Sequence, residues 1–280
     1  MKISGHKLKD AEYIPSPNHS GLFGKKHPDS IIIHYTATAT AKQAVNTLTN
    51  PRVKASAHLV VGRDGAIFQL VDFNTIAWHA GASSYAGRNG FNKYAIGIEV
   101  VNAGWLRKSG EMFISDFGKI YPASEVLTAH HRNSQTPYKY WNTYTGKQLE
   151  TVEEICRTLI AAYPIETILG HEEIAPGRKQ DPGPAYPLDD LRKRLLGIGA
   201  SRDSNAGLEN SFPFEARVDA THLNIRAFPD ASAKKVALPL EGGKMLTVLD
   251  TQDGWHRVRT DIEGWVFGSY VKPLPQKDKQ

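Results

Sequence analysis

The run Ser30-Ile-Ile-Ile-His-Tyr-Thr-Ala-Thr38 constrains the fold more than any other stretch of the chain. It is short, apolar and rich in β-branched residues, which is the pattern of a strand buried inside a sheet. His34 therefore stands near a strand terminus. Ala57 to Asp72 (AHLVVGRDGAIFQLVD) forms two more β-rich runs around Arg63-Asp64-Gly65, and Asp-Gly between such runs signals a hairpin. Tyr94 to Asn102 (YAIGIEVVN) reads as another strand. Between Gln148 and Tyr163 the apolar positions Leu149, Val152, Ile155, Cys156, Leu159 and Ile160 recur at helical spacing, and Pro164 closes the element. Asp189 to Leu196 reads as a further helix. Strands alternating with helices predict an α/β architecture, a mixed central sheet flanked by helices.

A chain of 280 residues is long for one domain, at a prior of about 150 residues each. Gly197 to Pro213 (GIGASRDSNAGLENSFP) is rich in Gly, Ser and Asn without apolar periodicity, as a linker should be. It predicts a first domain over residues 1–196, a linker over 197–213 and a second domain over 214–280. Residues 1–200 carry 23 Lys and Arg against 18 Asp and Glu, while residues 201–280 carry 11 of each. The net charge of +5 thus belongs to the first domain and suits a polyanionic partner. No basic helix or nucleic-acid motif accompanies it, so nucleic acid is not the expected partner. No apolar run approaches the ~18 residues that a membrane span needs, and no membrane insertion is expected. Residues 1–30 lack the apolar core of a Sec signal. A single cysteine excludes an internal disulfide and any Cys-only zinc site. Cys156 falls on the helix's apolar stripe, where it acts as a small hydrophobe.

A catalytic zinc site takes three N, S or O ligands in tetrahedral arrangement and leaves the fourth position for water. Eleven histidines make any one of them weak evidence. His34 closes the buried strand, His171 follows the apolar run Ile165 to Leu169, and Asp181 stands in the Pro- and Gly-dense stretch Arg178-Lys179-Gln180-Asp181-Pro182-Gly183-Pro184. Spacing alone leaves two readings open for this trio: metal ligands, or surface histidines and a turn aspartate.

The phrases IIIHYTAT, SAHLVVGRDGAIFQLV, AWHAG, AIGIEVVN and GHEEIAPGRKQDPGPAYP, in this order, resemble the zinc-dependent N-acetylmuramoyl-L-alanine amidases of the amidase-2 type. That group shares its fold with peptidoglycan recognition proteins and phage T7 lysozyme. The resemblance spans about residues 28–196. It implies Zn²⁺ held by His34, His171 and Asp181, and hydrolysis of the amide joining N-acetylmuramic acid to the L-alanine of the stem peptide. It implies Glu99, which interrupts the strand at Ile96-Gly97-Ile98-Glu99-Val100, as general base and Lys179 as the cation stabilising the oxyanion. Substrate contacts implied in the same way are His58, Trp78, His79, Asn102 and Arg178. Relatives carry a tyrosine where this chain has Ala57, so that role does not transfer. The segment from Ala103 to Tyr140 is longer than the shortest relatives need; it is aromatic and basic, could wall the groove, and has His130 and His131 as expected surface residues.

Ala216 to Pro273 resembles a bacterial SH3 domain, a small all-β barrel. It has a Leu-Asn-Ile-Arg opening, a Gly-Gly turn, two Gly-Trp pairs (Trp255, Trp265) and a Tyr-Val-Lys ending, with Phe228 where many members have Gly. Such modules often bind cell-wall material. The two resemblances together imply peptidoglycan, both glycan strand and stem peptide, as the partner. Wall lysis of the endolysin or secreted-effector type is the leading setting, reached without a Sec signal by another export or lysis route to the periplasm or wall, with an immunity or secretion partner in the effector case. A cytoplasmic recycling amidase acting on anhydro-muropeptides and a non-catalytic peptidoglycan-binding protein are the alternatives.

Overall fold

A computed structural model describes residues 1–133, 136–197, 213–227, 233–252, 255–261, 263–267 and 271–273. The linker over 197–213, apart from its first and last residues, and Phe228 lie outside the described residues. The chain divides into two compact units, Met1–Ala200 and Ser201–Gln280.

The first unit is built on a six-stranded sheet. Its strands in chain order are β1 (Glu12–Tyr13), β2 (Ser30–Tyr35), β3 (Leu59–Val61), β4 (Ile67–Gln69), β5 (Ala95–Val100) and β6 (Thr167–Gly170). In space they lie in the order β6-β2-β5-β3-β4-β1. β6, β2, β5 and β3 run parallel, and the β3–β4 hairpin supplies the antiparallel step that makes the sheet mixed. The predicted Asp-Gly turn makes that hairpin: Gly65 takes φ +84°, open to glycine, and the Asp64 side chain accepts from the Ala66 N–H at 3.0 Å.

Ile31, Ile32 and Ile33 are all fully buried because β2 is covered on both faces. Strand side chains alternate, so Ile31 and Ile33 face one way and Ile32 and His34 the other. The first face packs against α2 (Gly146–Ala162) and α4 (Leu188–Leu196) through Val152, Ile155, Cys156, Leu159, Leu188 and Leu191. The T-x-x-Q pattern before α2 folds as a capping box: Thr145 accepts from the Gln148 N–H at 3.1 Å, and Gln148 Oε1 accepts from the Thr145 N–H at 3.0 Å. On the opposite face α1 (Ala41–Leu48) covers Val60 and Leu70, while Ala80, Phe91 and Ile174 cover Ile32, Ala95 and Leu169. Helix α1 buries only Ala44 and Val45, too short a stripe to be read from the sequence.

The 103–140 segment folds, with Tyr140–Asn142, into its own five-stranded antiparallel sheet. The strands are Trp105–Ser109, Met112–Ser115, Ile120–Tyr121, Val126–Thr128 and Tyr140–Asn142, around a small core of Ala103, Leu106, Phe113 and Tyr121.

The second unit is all-β. Phe214–Val218, Met245–Gln252, Trp255–Arg259, Glu263–Phe267 and Val271–Pro273 form one antiparallel sheet. Leu223 and Ile225 of the Leu-Asn-Ile-Arg opening join its core with Val218, Leu246, Val248 and Val258. The Gly-Gly turn places Gly243 at φ +82° and ties the Gly243 N–H to the Val218 carbonyl at 2.9 Å.

Cys156 is fully buried on α2, and burial pushes its thiol well above the usual range. It should react with an aromatic disulfide reagent only after denaturation; rapid stoichiometric labelling of the native protein would contradict this packing.

Candidate metal centre

The parallel register of β2 and β5 sets Glu99 directly beside His34. Both sit on the face away from α2 and α4, at the carboxyl ends of their strands, where open α/β sheets place their sites. Strand β6 ends at Gly170, and the next residue, His171, opens the single-turn helix α3 (His171–Ile174). The loop after α3 returns Asp181, whose carbonyl accepts from the Glu172 N–H at 2.8 Å.

These elements bring three buried donor atoms together. His34 Nδ1 and His171 Nδ1 are 2.9 Å apart, and each lies 2.9 Å from Asp181 Oδ2. The edges are slightly tighter than the ~3.3 Å implied by tetrahedral zinc with bonds of about 2.0–2.1 Å. Hydrogen bonds fix the tautomers. His171 Nε2 donates to the Ala80 carbonyl at 3.0 Å, leaving Nδ1 with its lone pair. His79 Nε2 donates to the Ala95 carbonyl at 3.0 Å, so His79 Nδ1 accepts from His34 Nε2 at 3.0 Å and His34 Nδ1 is bare in turn. Burial, and then the neighbouring His171, lower the His34 pKa to about 4. Two imidazole nitrogens and a carboxylate oxygen thus converge on one point, a donor set that fits a divalent cation.

Glu99 Oε2 is shielded from water and has no hydrogen-bond partner among the described residues. Burial and then the Asp181 charge push the Glu99 carboxyl well up, while Lys179 pulls it down. The same Lys179 charge lowers His34, so one cation acts on both the triangle and Glu99.

The five residues expected to touch substrate have different surroundings. His58 is fully buried: its Nδ1 accepts from the Gly97 N–H at 3.0 Å and its Nε2 donates to the Thr75 carbonyl at 2.9 Å. Neither nitrogen remains for a ligand, and the ring stacks on Phe23 beneath the site. Asn102 is likewise consumed, donating to the Asn142 carbonyl at 3.0 Å and accepting from the Gly104 N–H at 2.7 Å; it anchors the inserted sheet. His79 is buried and orients His34. Its ring fills the space over Gly97, where a Cβ would stand 2.4 Å from His79 Cγ. Arg178 is exposed, but its guanidinium donates to the Ala80 and Ala82 carbonyls at 2.8 and 2.6 Å and braces that loop. Trp78 is half-buried, with its indole N–H on Ser20 Oγ at 2.8 Å, and keeps part of its ring at the surface.

His131, expected at the surface, is buried against Glu172, with Nε2 to Oε2 at 2.7 Å. Burial alone would lower its pKa, but the Glu172 carboxylate raises it above the ordinary value. Nothing in the sequence around His131 signals this partner.

Comparison with known proteins identifies the family of the chain. The family description "N-acetylmuramoyl-L-alanine amidase" matches residues 24–184, and that of the bacterial SH3 domain matches residues 221–272. The chain is 31% identical over 183 residues to N-acetylmuramoyl-L-alanine amidase AmiD of Escherichia coli K12, covering 62% of this chain and 55% of AmiD. It is 28% identical over 204 residues to 1,6-anhydro-N-acetylmuramyl-L-alanine amidase AmpD of Salmonella typhimurium SL1344, covering 66% of this chain and 90% of AmpD. A crystal structure of a selenomethionine AmpD derivative superposes with a TM-score of 0.51 at 27% identity, over 70% of this chain and 99% of that one.

Removing the imidazole that orients His34 should weaken metal binding without removing a ligand. His79→Ala is expected to lower zinc affinity about 10–100-fold in competition with a chromophoric chelator. Wild-type affinity in that variant would show that His34 holds its tautomer unaided.

Proposed function

Because the chain belongs to the N-acetylmuramoyl-L-alanine amidase family, we propose that it hydrolyses the amide between the lactyl group of N-acetylmuramic acid and the L-alanine of a stem peptide, with zinc held by His34, His171 and Asp181. The convergence of three buried donors, each 2.9 Å from the others, carries this reading. Bound zinc supplies Lewis acidity toward the scissile carbonyl and lowers the pKa of a bound water to about 7.

The protein's own groups handle the protons and the charge. Glu99 Oε2, with no partner among the described residues, takes the proton of the attacking water and returns it to the departing amine of L-alanine. Burial keeps the proton affinity of this carboxylate high enough for that exchange. Lys179, whose charge acts on both Glu99 and His34, stabilises the negative charge that develops on the carbonyl oxygen. Trp78 presents its exposed ring edge to the muramyl peptide, and Arg178 keeps the 80–82 loop in place.

The name of the AmpD relatives specifies the 1,6-anhydro form, and soluble anhydro-muropeptides are the substrate this kinship supports. The bacterial SH3 match at residues 221–272 favours a second reading in which polymeric peptidoglycan is the target and the second unit holds the enzyme on it. Turnover of soluble anhydro-muropeptides against that of whole sacculi distinguishes the two.

Release of stem peptides should stop with chelator and return with zinc. Asp181→Ala should be inactive, and its digestion of either substrate at the wild-type rate would sink the metal mechanism. Glu99→Gln should lower kcat by about 10²–10⁴-fold while the zinc content stays unchanged.

A further inference from the structure

Helix α3 has only four residues, too few to hold itself, yet it carries a metal ligand at its first position. Part of what fixes it comes from the inserted segment. The Glu172 carboxylate is 1% exposed. Its Oε2 accepts from His131 Nε2 at 2.7 Å and from the Gly183 N–H at 3.1 Å, and its Oε1 accepts from Arg132 Nε at 2.9 Å. Arg132 also reaches Glu173 Oε1 at 2.6 Å, and Asn133 Nδ2 donates to the Glu172 carbonyl at 3.1 Å.

His131 and Glu172 also hold the stretch around the other ligand. His131 Nε2 lies 3.0 Å from the carbonyl of Gln180, the residue before Asp181. The His131 ring stacks on Trp141 at 5.3 Å between centroids, and Trp141 packs on Gly183, where an added Cβ would stand 3.0 Å from the indole. The His131 imidazole therefore holds the backbone before Asp181, and with the Arg132 guanidinium it fixes Glu172, whose carboxylate holds Gly183 on the other side and which is itself next to His171.

We infer that His131 and Arg132 are positioning residues for the metal centre: by gripping Glu172 and the 180–183 loop, they set the spacing of His171 and Asp181 relative to His34. The inserted sheet is then part of the metal site's framework, in addition to any role as a wall of the groove. This inference rests on the metal reading above.

The test uses the full-length protein loaded with zinc or with Co(II). Wild type should bind one Co(II) with the visible bands of a four-coordinate site; its failure to do so would overturn the metal reading and this inference with it. If wild type binds, His131→Ala and Arg132→Ala should each lower zinc affinity about 10–100-fold and shift the Co(II) bands. His131→Gln, which keeps a donor for Glu172, should recover most of both. A merely structural role predicts lower thermal stability of the metal-free variants with wild-type affinity and an unshifted Co(II) spectrum, and that result overturns the proposal. Should His131→Ala not fold, Arg132→Ala decides alone, since its side chain is 33% exposed and its loss leaves no buried void.

Discussion

Two imidazole lone pairs and a carboxylate oxygen at 2.9 Å from one another repel, and the rest of the first unit is arranged to keep them there. The Ala80 carbonyl removes one alternative by accepting from His171 Nε2. The Ala95 carbonyl removes another through His79, two hydrogen bonds away from the donor atom it controls. Both carbonyls are fixed by the packing of Ala80, Phe91 and Ala95 against β2 and β6. The hydrophobic core thus sets the direction of lone pairs as well as the stability of the sheet, and a cation placed among them removes the repulsion.

The fold was legible where a local pattern decides the structure. The apolar run at Ser30–Thr38, the Asp-Gly hairpin and the helix over Gln148–Tyr163 each carry their own signal, and each forms with ends shifted by a few residues. The trio His34, His171 and Asp181 was visible as a candidate, but spacing left it open; family phrases narrowed it and the fold brings the three together. The residues whose surroundings could not be read locally share one property: their partners are distant in the chain. His58 donates to Thr75, Asn102 to Asn142, and His131 meets Glu172 and Gln180. No local rule distinguishes a histidine awaiting a substrate from one already satisfied, because that depends on which carbonyl the fold delivers.

Charge and chemistry are divided between the two units. The first holds the metal-ligand triangle and the excess of positive charge, while the second has equal numbers of acidic and basic residues over 201–280. Long-range attraction to an anionic polymer therefore belongs to the unit with the chemistry.

The space above Gly97 has a consequence for how this sequence can vary. The volume that a side chain at position 97 would fill is already occupied by the His79 ring, so the two positions share one cavity across eighteen residues of chain. Enlarging residue 97 alone expels the imidazole, and shrinking residue 79 alone leaves a void beneath His34. Among descendants of this chain, neither position is free to drift by itself; a change at one is tolerated only with a matching change at the other, and then only where the metal ligand no longer needs its tautomer held.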